Sequence, residues 1–219
     1  MSMTRNEART LVAARLGFRT DLNDTIDLEL QLVQAEELED DHEFKPWFLF
    51  TDYTDPTFVT TPGQDYVQLP EDFLLQIEDT FLYFQEPEAT GTEFPWSPVR
   101  ANLLAEVMAQ DEVGGVPSFV TVQGSRLYIR PTPQEVYTLR LFYYRADTAL
   151  TGDITNLWLT HAVEWMISST AAKIADAYLQ DEATAQRQYN AAAKARKRIW
   201  LQSESRMNTG LDLIKGGDD

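Results

Sequence analysis

The stretch that most limits the fold is Val116–Arg145, together with the helix that follows it. Val116-Pro-Ser-Phe-Val-Thr-Val-Gln123 and Arg126-Leu-Tyr-Ile-Arg130 flank Gly124-Ser125. Val120 and Val122 share one side of the first run, and Leu127 and Ile129 continue the alternation in the second. A period of two is the mark of half-buried strands. Glycine followed by serine at the break favours a two-residue type II′ hairpin turn. Pro131-Thr-Pro133 then ends the ladder, because proline has no amide to donate. A third strand is expected with Tyr137, Leu139, Leu141 and Tyr143 on one face.

The chain next turns through Thr148–Asn156 into a helix expected from Leu157 to about Gln180. Trp158, Ala162, Trp165 and Ala172 fall on one side of it, and Leu159, Val163, Ile167, Ile174 and Tyr178 on another. Only a narrow polar stripe remains, through His161, Glu164 and Ser168. A helix so apolar must be covered on most sides. The small residues Ser168–Ala172 permit another helix to approach closely. Asp181 is placed to cap a last helix, Glu182 to about Ser205, with Ala185, Tyr189, Ala192 and Ile199 inward and Arg187, Lys194, Lys197 and Arg198 outward. Ser205–Asp219 lacks periodicity and contains Gly210, Gly216 and Gly217, so it reads as a flexible tail.

At the other end of the chain, Thr4-Arg-Asn-Glu7 has the spacing of a capping box, and Gly17 is placed to stop that helix. A second helix is expected from Asp21–Asp24, with Ile26, Leu30 and Val33 on its inner face. It runs into Glu36-Glu-Leu-Glu-Asp-Asp-His-Glu43, which is either a solvated, fraying end or an acidic patch that meets a basic partner. Between the helical ends, Trp47–Phe50 with Tyr53, Tyr66–Leu69 and Leu74–Phe84 read as strands, and Pro70–Phe73 as one helical turn. Glu86–Pro95 reads as a loop. Ser97-Pro98 reads as an N-cap with proline at the first helical position, opening a short helix that carries Leu103, Leu104, Val107 and Met108.

Composition narrows the function. A chain of 219 residues buries about 70% of its unfolded surface and needs no metal or disulfide to stand. It has no cysteine, which removes thiol nucleophiles, thiolate metal sites and disulfides. No apolar run suits a membrane span, and Met1–Thr20, punctuated by four arginines, does not read as a secretory signal. The net charge is −17. Residues 1–46 carry 5 basic and 11 acidic side chains, residues 47–156 carry 5 and 16, and residues 157–219 carry 8 and 8. So acidic a surface repels the nucleic-acid backbone.

Catalytic chemistry is hard to find. His161 and Glu164 supply at most half a metal site, with no second histidine near in sequence. Gly114-Gly115 has neither the spacing nor the lysine of a phosphate loop. Glu78-Asp79 and Asp111-Glu112 are adjacent carboxylates, and a glycosidase would need two carboxyls across a cleft; among 35 acidic residues some pair meets that condition by chance. Lys194-Ala-Arg-Lys-Arg198 is a basic cluster that either complements the helix dipole or contacts an acidic neighbour. Five Trp, nine Tyr and eleven Phe exceed what a core needs, and aromatic surplus is common at interfaces.

The order of these elements is itself informative. An N-terminal helical pair precedes Tyr66-Val-Gln-Leu-Pro-Glu-Asp-Phe73 and a short central helix. Leu127-Tyr-Ile-Arg-Pro-Thr-Pro133, Tyr137-Thr-Leu-Arg-Leu-Phe-Tyr-Tyr144 and Leu150-Thr-Gly-Asp153 follow. Trp158-Leu159 then leads towards Ala172-Lys-Ile-Ala-Asp-Ala-Tyr-Leu-Gln-Asp-Glu182. Over roughly residues 5–205 this resembles the head-to-tail adaptor (connector, or tail accessory) proteins of tailed bacteriophages. The resemblance implies a virion structural protein with no catalytic residue, cofactor or metal. It implies a ring of copies, typically dodecameric, docked below the portal protein, continuing the DNA channel and meeting a downstream tail or nozzle protein. DNA would pass during genome ejection without specific binding. Such a protein is made in the host bacterial cytoplasm, ends at the head–tail junction and touches no membrane. The loop Glu86–Pro95 has no place on the family pattern.

The expected fold is therefore α+β: a helical bundle from the N- and C-terminal helices with a small antiparallel β insertion. Residues 1–206 form one adaptor domain, with helices in 4–41 and 157–205 and a β-rich insertion over 46–156; residues 207–219 are the tail. Leu211, Leu213 and Ile214 are candidate portal-docking residues. Trp158, Trp165, Lys194 and Arg198 are candidates for the interface between subunits, because a long apolar helix can be covered by a neighbouring copy. Two other readings stand beside this one: a different neck or tail structural protein, and a carboxylate-dependent cell-wall glycosidase.

Overall fold

The computed structural model describes residues 2–39, 45–77, 81–85, 96–109 and 114–215; for 39 and 207–215 it describes the backbone alone. In chain order the elements are α1 (Arg5–Arg15), α2 (Asn23–Glu39), β1 (Phe50–Tyr53), β2 (Tyr66–Gln68), β3 (Phe73–Gln76), β4 (Leu82–Gln85), β5 (Ser97–Ala101), α3 (Leu104–Met108), β6 (Phe119–Gln123), β7 (Arg126–Arg130), β8 (Thr138–Arg145), α4 (Trp158–His161), α5 (Val163–Ala177) and α6 (Glu182–Lys215). They divide into two compact units. Met1–Leu49 with Asp147–Asp219 is helical, and Phe50–Ala146 holds the strands.

In the helical unit, the Thr4 hydroxyl accepts from the Glu7 amide and the Glu7 carboxylate accepts from the Thr4 amide, so α1 opens with the expected capping box. It stops at Gly17, whose φ of 78° suits a residue without a Cβ. Ile26, Leu30 and Val33 form the buried face of α2. The α5 helix packs against α1, α2 and α6, and Trp165, Met166, Ile167, Ala171, Ala172 and Ile174 are all buried. Its apolar surface is thus covered within one chain. The Asp181 carboxylate accepts from the Thr184 amide at 3.0 Å and starts α6, whose inner residues Ala185, Gln188, Ala192, Ala195, Ile199 and Ser203 are buried. Residues 147–157 belong to this unit rather than to the strands. Asp147 accepts from the Leu157 and Trp158 amides, and the Leu150 carbonyl accepts from Arg5.

Two helical expectations are corrected. The helix expected over 157–180 is interrupted at Ala162, whose φ of −125° and ψ of 26° separate α4 from α5. The last helix, expected to end near Ser205, continues along its backbone to Lys215. Extending a formed helix is easier than starting one, and a single Gly210 costs only about 1 kcal/mol.

The sheet unit overturns the expected fold class. A helical bundle with a small antiparallel insertion does not describe it. The described strands form one curled, mixed sheet of eight. Its order is β1-β8-β4-β5-β6-β7-β2, with β3 also on β8. Leu141 of β8 pairs with both Tyr53 and Leu82, so β1 lies on one edge of β8 and β4 on the other. The β5–β6 pair is parallel, and every other named pairing is antiparallel. Strand makes up 21% of the chain, an ordinary share for a mixed fold rather than that of a minor insertion.

The central hairpin is as expected. Gln123 faces Arg126, Gly124 has φ 61° while Ser125 stays negative, and this is the signature of a type II′ turn. Val120, Leu127, Ile129, Tyr137, Leu139, Leu141 and Tyr143 join Phe81, Leu82, Phe84 and Val99 in one core. Ser97-Pro98, expected to begin a helix, instead begins β5, where Pro98 faces Tyr83 and Val99 faces Leu82. Burial of Val99 against β4 overrides the local helix-start signal, and the helix begins only after Leu103. Pro70–Phe73 is a hydrogen-bonded turn, with Phe73 donating to Pro70 at 3.0 Å, that leads directly into β3. The loop 86–95, the carboxylate pairs 78–79 and 111–112, and residues 40–43 of the acidic run lie outside the described residues.

Candidate functional site

Helical spacing divides α6 into two faces. With the buried residues Ala185, Ala192, Ile199 and Ser203 on one side, Arg187, Lys194, Lys197, Arg198 and Leu201 fall on the other and are exposed. No ion pair within the chain ties up Lys194, Lys197 or Arg198 among the described residues. Arg187 lies near the carboxylate of Asp181, which helps hold that carboxyl below its ordinary range, although the hydrogen bonds from Thr184 do more. The outer face of α6 is therefore a cationic stripe on a strongly acidic protein.

The opposite situation holds on α2. Its inner face is buried, and Asp24, Leu28 and Leu32 repeat at four-residue intervals on the exposed outer face. Sequence reading named only the inner face of this helix. Leu28 and Leu32, 51% and 42% exposed, were detectable as a second, weaker apolar stripe at the same period.

Interhelical ion pairs consume the charges between these faces. Arg5 and Arg9 both reach Asp27, at 3.5 and 3.0 Å. Arg15 meets Glu164 at 2.7 Å and also donates to Ser168 and Gln188. Lys173 pairs with Glu36, and Arg196 pairs with Glu37 at 3.0 Å. Part of the acidic run thus meets basic residues of the same chain, one of them Arg196 of the 194–198 cluster.

The residues suggested by sequence separate accordingly. Trp158 and Trp165 are buried at 1% and 6% exposure, with ring centroids 5.1 Å apart. Named from sequence as candidates for a subunit interface, both are core residues of this chain, where α5 packs against α1, α2 and α6. Lys194 and Arg198 are exposed. Leu211, Leu213 and Ile214 lie on the helical backbone of α6, and their side chains are outside those described.

His161 and Glu164 do not share a face, because the break at Ala162 lies between them. His161 stacks on Phe48 at 5.4 Å and meets Trp47 edge-on at 4.8 Å, while the Arg206 guanidinium covers Trp47 at 3.7 Å. Burial, and then the charge of Arg206, push the His161 imidazole below its usual range. Among the described residues no group of three or more His, Cys, Asp or Glu converges as a metal site would require. No described helix is long and apolar enough to cross a membrane.

Among the described residues the geometry presents the two outer faces of α2 and α6 as its distinctive surfaces. No curated protein matches the chain. The family model described as SU10 adaptor protein matches residues 3–212, nearly its whole length. The chain belongs to the SU10 adaptor protein family.

Proposed function

We propose that this adaptor is a virion structural protein whose copies form a ring, dodecameric in the reading made from sequence, below the portal of a tailed phage. The ring continues the DNA channel and joins the downstream tail or nozzle protein, and DNA passes through it at genome ejection. The observation that carries this reading is the family match over residues 3–212. The charge supports it: a chain of net charge −17 repels phosphate and favours passage over adhesion. In this reading Lys194 and Arg198 lie at the contact between copies, and Leu211, Leu213 and Ile214 dock on the portal.

The backbone of this segment is already helical to Lys215, so docking draws on the roughly 1.5–3 kcal/mol that each aliphatic side chain contributes when a groove on the portal buries it. The test is deletion of residues 207–219, followed by thermal unfolding, co-sedimentation with portal particles and electron microscopy of the mixture. The expected result is unchanged unfolding with weakened attachment and loss of the ring. Undiminished attachment removes the docking role from this segment, and a mixture in which the full chain never decorates the portal removes the adaptor placement itself.

A further inference from the structure

The two outer faces of the helical unit are complementary to each other and are turned apart within one chain. The α5 helix packs against both α2 and α6, and its residues are buried nearly all round. The outer stripe of α2 and the outer stripe of α6 each lie opposite a buried face, so each points away from α5. One stripe reads acid, leucine, leucine in Asp24, Leu28 and Leu32. The other reads cation, cation, leucine in Lys194, Arg198 and Leu201. Each spans about two helical turns, and Leu28 and Leu201 are more than half exposed.

We propose that the α2 stripe of one copy docks on the α6 stripe of a second copy, with Leu28 and Leu32 against Leu201 and Asp24 against Lys194 and Arg198. This rests on the reading of the protein as a ring component and names the surfaces that join its members. Two different patches meet, so the contact is heterologous and propagates from copy to copy until rotation closes it. Opposite charge selects the pairing and excludes like faces, since α6 against α6 would oppose four cations. The same stripe would attract duplex DNA, but a net charge of −17 opposes that occupant. An acidic helix of the same protein brings its own leucines to meet Leu201.

The absence of cysteine makes the test clean. The full-length variant carrying Leu28→Cys and Leu201→Cys is treated with a short bismaleimide, alone at rising concentration and mixed with portal particles. A ladder of cross-linked multiples is expected. Mixing the two single variants should stop at the dimer. Lys194→Glu with Arg198→Glu should reduce the ladder at least tenfold, and adding Asp24→Lys should restore it. Rings on the portal in micrographs without a ladder overturn this pairing and leave the adaptor reading intact. A ladder without portal attachment does the reverse. If the charge reversal instead abolishes retardation of a short DNA duplex and leaves the ladder unchanged, the α6 stripe belongs to DNA and the proposal is wrong.

Discussion

The helical unit and the sheet unit are held together by different means. In the sheet unit an aliphatic and aromatic core runs across the strands, and among the described residues two ion pairs accompany it, Arg130–Asp65 at 2.9 Å and Arg140–Asp52 at 2.7 Å. In the helical unit apolar packing centres on α5, and ion pairs link α1 to α2, α1 to α5, α2 to α5 and α2 to α6. A sheet distributes its cohesion along every strand through backbone pairing. Helices satisfy their own backbones and depend on side chains to hold them to one another. Helix surfaces are consequently free to carry recognition, and the proposed contact between copies uses the exposed outer faces of α2 and α6.

The strongest test of the contrast is Trp165→Ala. If α5 is the centre of the helical unit, losing this buried ring costs about 3–5 kcal/mol, read from urea unfolding. A loss below about 1 kcal/mol would show that the ion pairs, not α5, hold the unit.

A smaller effect should come from Thr4→Ala, which removes the hydroxyl that accepts from Glu7. The expected cost is about 1 kcal/mol, with amide exchange rising first along α1. Unchanged exchange there would mean that the contacts of Arg5 and Asn6 with residues 150–154 hold the helix start without the cap.

The smallest effect is a dependence on pH. Both histidines of the chain lie in the sequence of the helical unit. His161 faces Trp47, Phe48 and the charges of Arg206, Asp147 and the amino terminus, and its folded pKa lies below the unfolded 6.5. The unfolded chain therefore binds the proton more readily. Stability associated with neutral His161 is complete above pH 6.5 and declines as the pH falls from there through the lower, folded pKa. His161→Gln should flatten the slope of unfolding free energy against pH between 7 and 5.5. An unaltered slope in that variant would assign the effect to other groups.

Local physics made much of the helical unit legible. The capping box at Thr4, the stop at Gly17, the inner face of α2, the inner residues Ala185, Ala192 and Ile199 of α6 and the cap at Asp181 are each decided by residues within one or two turns, and each was readable; Tyr189, expected inward with them, is exposed. The Gly124-Ser125 hairpin and the inward face Tyr137, Leu139, Leu141 and Tyr143 were readable for the same reason, since a period of two needs no distant partner. The cationic members Lys194 and Arg198 of the candidate site were visible as an outward cluster, and a second stripe through Leu28 and Leu32 was present but passed over.

What the tertiary structure alone decided was every choice between distant partners. The strand β8 follows the hairpin in sequence yet pairs with β1, β3 and β4, and β5 and β4 separate it from β6. Ser97-Pro98 carries a helix-start signal, but a cap is worth about 1 kcal/mol and burying the Val99 side chain between strands about 1.5–3 kcal/mol, so burial wins. Trp158 and Trp165 looked like surplus apolar surface because a sequence shows how much a helix must bury, not what buries it. Here α1, α2 and α6 cover it within one chain, and the charged residues Lys194 and Arg198 stay on the exposed side.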